Sequence, residues 1–390
     1  MNRPTPYLGI VLVFFAGIFA VDFFNNQAPL PSSAINTSSV SSPLSTAPAS
    51  PSSSATPPVS PSLEVSATTT TTSPSGALAP KKNKISPTPV LTVPVVSKSA
   101  PVATSTPSPA PVVSAAALDT AALALRNALV NIICYASEGT ALHSISGSGV
   151  FIDSKGIILT NAHIAQYFLL ANRDVSCVIR SGSPAINSYN AALIYIPTTW
   201  LKKNASVLTQ SAPNGTGEHD FALLAVTKSA TTAPLPIQFP FLPLAKVPSL
   251  PGTPIIIASY GAQFLNASQI QSSLFPTIVF GSVKDVFTFV KNTIDVIALG
   301  GSAAAQEGSS GGGVSDAFGE LVGTITTSTI EGDTSARSLS AITASYIRAE
   351  YANETGVALD LLLAEPISTS VASFSSQIPA LESILTPYLL

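Results

Sequence analysis

Three residues far apart in the chain, His163, Asp220 and Ser310, are of the types that carry nucleophilic catalysis. A hydroxyl is a weak nucleophile at neutral pH, so an imidazole must take its proton as it attacks. A carboxylate must then hold that imidazole in one tautomer and stabilise the imidazolium. Each residue has a local setting suited to this chemistry. The stretch from Gly147 to His163 reads as a strand, an Asp153-Ser154-Lys155-Gly156 turn and a second strand that delivers His163 at its end. Asp220 opens the apolar run Phe221 to Val226, whose strand would hold it rigidly. Ser310 lies in Glu307-Gly308-Ser309-Ser310-Gly311-Gly312-Gly313-Val314, a glycine-dense loop between apolar segments. Glycines allow a sharp turn and let two N–H groups converge on a developing oxyanion without Cβ obstruction. Here the donors would be the N–H groups of Gly308 and Ser310.

The acid is the least determined member. The carboxylates between His163 and Ser310 are Asp174, Glu218, Asp220, Asp285, Asp295 and Glu307. Asp174 follows His163 closely, and the intervening Ile164 to Leu170 reads as a short helix leading away, so Asp220 is preferred. His143 and His219 have no ligand spacing to another His or Cys and read as polar loop residues. The conjunction of His, Asp and Ser in that order is what carries weight, since a lone His after a strand or a lone glycine-serine run is usually structural.

The elements that must position these residues fall in the last of three compositional regimes. Tyr7 to Val21 carries no charge. As a helix it would span about 22 Å, and about 27 Å if extended to Phe24, against roughly 30 Å of hydrocarbon. Arg3 lies before it, which favours a cytoplasmic N-terminus and an exported remainder. Residues 1–26 therefore read as an uncleaved transmembrane anchor, with a cleaved signal peptide as the rival. Residues 27–116 are nearly all Pro, Ser, Thr, Ala and Val, without aromatics, and cannot bury enough surface to offset their chain entropy. They read as a disordered stalk. Residues 117–390 hold short apolar runs between Gly, Ser, Asn and Pro breaks, the pattern of an all-β fold. The runs include Leu129 to Tyr135, Ser148 to Ile152, Ile157 to Thr160, Val175 to Ile179, Pro254 to Ser259 and Leu321 to Thr326. Short helices are expected at Leu118 to Ala128 and around Leu381, Ile384 and Leu385.

Composition excludes more than it selects. The 390 residues carry 17 basic and 20 acidic side chains, scattered, which gives no electrostatic case for a nucleic-acid partner. Three His and a single Met argue against a His-rich or Met-rich metal site, and no metal or organic cofactor is implied. Two Cys exclude a disulfide framework or a four-Cys zinc site but allow one bridge.

Taken together, these motifs resemble the chymotrypsin-fold serine proteases, most closely the bacterial HtrA/Deg type. Leu159-Thr160-Asn161-Ala162-His163 is similar to that family's histidine motif, and Asp220-Phe221-Ala222-Leu223-Leu224 to its acid-bearing strand. Gly308-Ser309-Ser310-Gly311-Gly312 resembles its nucleophile loop, and Gly319-Glu320-Leu321-Val322-Gly323 the strand that follows. The resemblance implies two six-stranded Greek-key barrels with the site between them, and polypeptide substrates taken as unfolded or flexible segments. It places the substrate-pocket base at Ala304 and Ala305 and the far wall at Thr326, Thr327 and Ser328. It also puts Cys134 in the first strand and Cys177 in the fourth strand of the N-terminal barrel, neighbours that would form a disulfide in an exported domain. Three departures stand out. No PDZ module fits after Tyr351, an insertion around residues 181–217 including Trp200, Lys202 and Lys203 suggests an extra hairpin or loop beside the cleft, and Ser309 replaces the family's Asn or Asp. The expectation is a membrane-anchored, extracytoplasmic serine endopeptidase. Its rivals are a catalytically inactive protease-fold binding or sensing module, and a structural surface protein that gives no reason for the three residues. Oligomeric state is not legible.

Overall fold

In a computed structural model of the chain, the described residues are 113–137, 139–210, 214–289, 292–329 and 332–389. Three short extended segments nearer the N-terminus, Thr5–Pro6, Leu12–Phe14 and Gly17–Phe19, are described as well. The expected membrane helix is not shown. Most of Tyr7 to Val21 lies outside the described residues, and Phe14 and Gly17 there pair with Thr327 and Ser146 as extended backbone. Among the described residues no helix is long and apolar enough to cross a membrane. The expected stalk lies outside them up to residue 112.

Six strands of the folded region belong to the first sheet: β1 (Leu129–Tyr135), β2 (Ser144–Asp153), β3 (Ile157–Thr160), β4 (Ser176–Gly182), β5 (Ala185–Tyr195) and β6 (Ala222–Ser229). They pair in the order β2-β1-β4-β5-β6-β3, and β3 pairs back to β2, so the sheet closes into a barrel. Closure leaves no unpaired edge. Ile132, Ile158 and Leu224 lie on one face of the sheet and Leu159 and Leu223 on the other, and all five are buried. In this barrel Cys134 pairs directly opposite Cys177 in the β1–β4 ladder, and the two form a disulfide. The bridge closes a loop of 43 residues, worth about 4 kcal/mol in the chain-entropy account. Replacing both cysteines with serine is expected to lower the thermal midpoint by roughly 5–15 °C, for about 2–4 kcal/mol lost. Calorimetry of both proteins without reductant checks this, and equal midpoints would contradict it.

The second sheet holds β7 (Pro254–Ser259), β8 (Thr277–Ser282), β9 (Asp285–Thr288), β10 (Val296–Ala298), β11 (Gly313–Asp316), β12 (Leu321–Ser328) and β13 (Leu339–Thr343). Its order is β9-β10-β13-β12-β11-β7-β8, an open path, so by hydrogen bonding it is a half-barrel and not the closed barrel expected. The reason is local. β8 and β9 are consecutive, and the chain bends between them at Val283 and Lys284, whose N–H groups bond Thr253 O, just before β7, and Ala298 O of β10. One bent length of chain thus joins the two ends of the sheet.

Helix α1 (Ala115–Ala128) opens two residues earlier than the sequence boundary at 117, because Ser114 caps it by accepting from the Ala117 N–H at 3.2 Å. Its buried face, Ala121, Leu125 and Ala128, has helical spacing and lies against β2, β7 and β11, so it bridges both sheets. The segment taken as an insertion is not a hairpin beside the cleft. It supplies barrel strand β5 and then α3 (Thr198–Asn204), whose Trp200 and Leu201 are fully buried. Its partner is the C-terminus. Helices α5 (Ala344–Thr355), α6 (Leu359–Ala364), α7 (Ile367–Ser375) and α8 (Ile378–Leu385) follow β13, with α7 packed on β5 and α8 on α3.

Candidate active site

The β3–β6 register explains why two distant residues meet. Ala222 pairs with Thr160 in antiparallel sense, so continuing each strand by two residues brings Asp220 level with Ala162, next to His163. His163 itself stands in a short helix, α2 (Ala162–Ala165), just past the end of β3. Asp220 Oδ2 lies 2.8 Å from His163 Nδ1, and Asp220 Oδ1 accepts the His163 backbone N–H at 3.1 Å. Both side chains are fully buried. With a carboxylate at Nδ1, the ring proton sits on that nitrogen and Nε2 is left as the basic face.

Two neighbours hold Asp220 in turn. Asn161 Nδ2 donates to its backbone carbonyl at 2.8 Å, and Thr326 Oγ1 donates to Oδ2 at 2.8 Å. Asp174, the competing carboxylate, is exposed in the turn after Leu170. Thr326 was expected on the pocket wall, but its hydroxyl is committed to the carboxylate. Nothing in a β-branched strand such as Thr324-Ile325-Thr326-Thr327 distinguishes a hydroxyl that bonds an acid from one that merely packs. His219 is a polar residue of the turn before β6. It adopts a left-handed φ of 59°, and its Nδ1 lies 2.9 Å from Glu350 Oε1, away from the His163 pair.

Ser310 sits in the turn before β11, which joins it to the second sheet, while its carbonyl accepts the N–H of Ser148 from β2 at 2.7 Å. The Ser310 loop therefore lies at the seam between the two sheets. Gly311 has φ 82°, and a Cβ there would collide with the Ser148 carbonyl and the Thr160 hydroxyl, so only glycine fits beside β2 and β3. Ser310 is buried, and its Oγ has no hydrogen-bond partner among the described residues. Bonds between such a hydroxyl and its base are often long before substrate arrives. The N–H groups of Gly308 and Ser310 also bond no acceptor among the described residues. Their partner carbonyls are engaged, Glu307 O by Ala262 N–H at 2.7 Å and Ser309 O by Gly312 N–H at 2.9 Å. Both donor N–H groups are thereby held pointing the other way.

Ala304 and Ala305 are fully buried, and Ala305 O accepts from Arg337 Nη1 at 2.7 Å. Thr327 and Ser328 are also buried. Burial pushes the Glu307 carboxyl above the ordinary carboxylate range, with the nearby Arg337 guanidinium pulling it partly back. Among the described residues no group of His, Cys, Asp and Glu could hold a metal ion.

No curated protein matches the chain. Among solved structures it is similar to the Rv3671c protease of M. tuberculosis in its active form, at 18% identity and a TM-score of 0.39, over 63% of this chain and 88% of that one. The inactive form of that protease is similar at 16% identity and a TM-score of 0.37, over 62% and 96%. Residues 147–323 match the family of trypsin-like peptidase domains, a stretch that holds His163, Asp220 and Ser310. Within residues 147–323, therefore, the chain is a trypsin-like peptidase domain.

Proposed function

We propose that the protein is a membrane-anchored, extracytoplasmic serine endopeptidase in which Ser310 is the nucleophile, His163 the general base and Asp220 the orienting carboxylate. The observation that carries this reading is the buried Asp220–His163 pair, at 2.8 Å, inside a trypsin-like peptidase domain. Ser310 Oγ attacks the scissile carbonyl as His163 Nε2 takes its proton. The oxyanion that forms is met by the Gly308 and Ser310 N–H groups. His163 then gives the proton to the leaving amine, and the acyl-enzyme on Ser310 is hydrolysed by water activated at the same Nε2. Polypeptides with unfolded or flexible segments are the substrates, because the scissile bond must reach a seam between two sheets.

Small or medium aliphatic side chains are preferred just before the scissile bond. Ala304 and Ala305 at the expected pocket base, and Thr326, Thr327 and Ser328 at its wall, carry no acid. A Lys or Arg there would be buried unpaired at a cost of several kcal/mol. The test is a profile of cleavages in an unfolded protein such as casein. Internal cuts after Ala, Val or Leu are expected, and a profile dominated by Lys or Arg would contradict the pocket.

The uncharged Tyr7 to Val21 stretch supports the anchor, and the Cys134–Cys177 bridge suits an oxidising, extracytoplasmic compartment. Full-length protein is expected to stay in the membrane pellet after alkaline carbonate washing, and to be digested by protease added to intact cells. Quantitative release into the wash would defeat the anchor.

A further inference from the structure

Ser148 stands between Gly147 and Gly149 on β2, and it is fully buried. Neither glycine could carry a Cβ without meeting a neighbour, Ile164 for Gly147 and Ile158 for Gly149. The strand is therefore closely packed on the face of the two glycines, and the one side chain between them points to the opposite face. That side chain is a hydroxyl, and its two hydrogen bonds go to the active-site loop and to the residue that follows β7 in the second sheet. Ser148 Oγ donates to Gly308 O at 2.8 Å and accepts the Tyr260 N–H at 2.8 Å. Its backbone N–H donates to Ser310 O at 2.7 Å, and its carbonyl accepts Thr160 Oγ1 at 2.7 Å.

The direction of the relay is fixed. A backbone N–H can only donate and a carbonyl can only accept, so the hydroxyl has one orientation that satisfies both. The peptide units of the loop show what this does. One oxyanion donor, the Ser310 N–H, belongs to the peptide between Ser309 and Ser310. The carbonyls on either side of that peptide, Gly308 O and Ser310 O, are both held by Ser148. Gly308 itself has φ 87°, and a Cβ there would strike Tyr260 O, so the turn sits directly on the residue that feeds the relay. Ser309 adds no ion pair, because its Oγ accepts from Ser259 Oγ at 3.0 Å.

We infer that Ser148 is a positioning residue for the reaction: its hydroxyl, relaying the Tyr260 N–H to the Gly308 carbonyl, sets the turn that aims the Gly308 and Ser310 N–H groups at the oxyanion. Tyr260 follows β7 in the second sheet and Ser148 lies in the first, so the aim of the loop depends on the two sheets being docked. Neutral hydrogen bonds from both sides do this without a charged anchor. The inference rests on the reading of Ser310 as nucleophile.

The test compares wild type, Ser148→Ala and Ser148→Cys in the full chain. The readouts are kcat and KM on a quenched peptide that wild type cleaves, affinity for a peptidyl trifluoromethyl ketone, and the thermal midpoint. The ketone forms a tetrahedral oxyanion adduct, so it reports the aim of the donors. For Ser148→Ala, kcat is expected to fall roughly 10–100-fold, with KM within about threefold and ketone affinity falling by the same factor as kcat. Ser148→Cys keeps the volume and a weak donor, so it should lie between the two, and it carries the test if the alanine variant does not fold. A kcat within about twofold of wild type in a folded variant overturns the inference. So does a loss of kcat with unchanged ketone affinity, which marks a merely structural role. Wild type that is not labelled by a fluorophosphonate fails the nucleophile reading itself; labelled wild type with an unaffected Ser148→Ala fails only this one.

Discussion

Ser310→Ala is expected to lower kcat/KM by roughly 10⁴-fold or more, because both attack and acyl transfer need the hydroxyl. His163→Ala should be similarly severe. Without Nε2 there is no group to accept the Ser310 proton or to return it to the leaving amine. The double variant should be scarcely worse than either single one, since the two residues act as a unit. Binding should survive, because Ser310 is small and the loop is held by its backbone bonds to Ser148, Ala262 and Gly312. A residual rate in the single variants within about tenfold of wild type would remove both from the mechanism.

Asp220→Asn should cost somewhat less, about 10³–10⁴-fold in kcat, through the tautomer of His163. The asparagine amide would offer an N–H where the carboxylate now accepts. His163 would then place its own proton on Nε2, the face that must be basic. The effect is sharpened by the surroundings, since Oδ2 also accepts from Thr326 Oγ1 and both groups are buried. An amide turned to satisfy one partner frustrates the other. Steady-state kinetics of Asp220→Asn and Asp174→Asn side by side decide the assignment. A crippled Asp174→Asn with an active Asp220→Asn would move the acid to the exposed turn.

The parts of the site legible from sequence are those whose signal is local. Leu159 to His163 and Asp220 to Leu224 read as strands because they are apolar runs, and the β3–β6 pairing then brings His163 and Asp220 together. The strand from Leu129 to Tyr135 and that from Pro254 to Ser259 also have the limits their apolar runs suggested. Cys134 and Cys177 were placed by the resemblance in adjacent strands, and they pair there. What could not be read depends on tertiary context. Ala185 to Tyr195 is half polar, so its place as a barrel strand was hidden inside an apparent insertion. Gly313 to Asp316 is too short to show a period of two. The helices after Tyr351 bury few residues each, Leu359 and Leu362 in α6 and Ser370 and Phe374 in α7, so their apolar stripes are faint. Thr326 and Ser148 were invisible for another reason. A hydroxyl's role depends on which acceptor the fold brings to it, and Asp220 and Gly308 are far from them in sequence.

Covalent labelling is the most direct measurement of the central claim, that Ser310 is a nucleophile activated by His163. Purified protein treated with a fluorophosphonate and analysed by peptide mass spectrometry should carry one adduct, on Ser310. The adduct should be absent from Ser310→Ala and form at least about 10³-fold more slowly in His163→Ala. No adduct in folded wild type, or an adduct on another serine, would contradict the account.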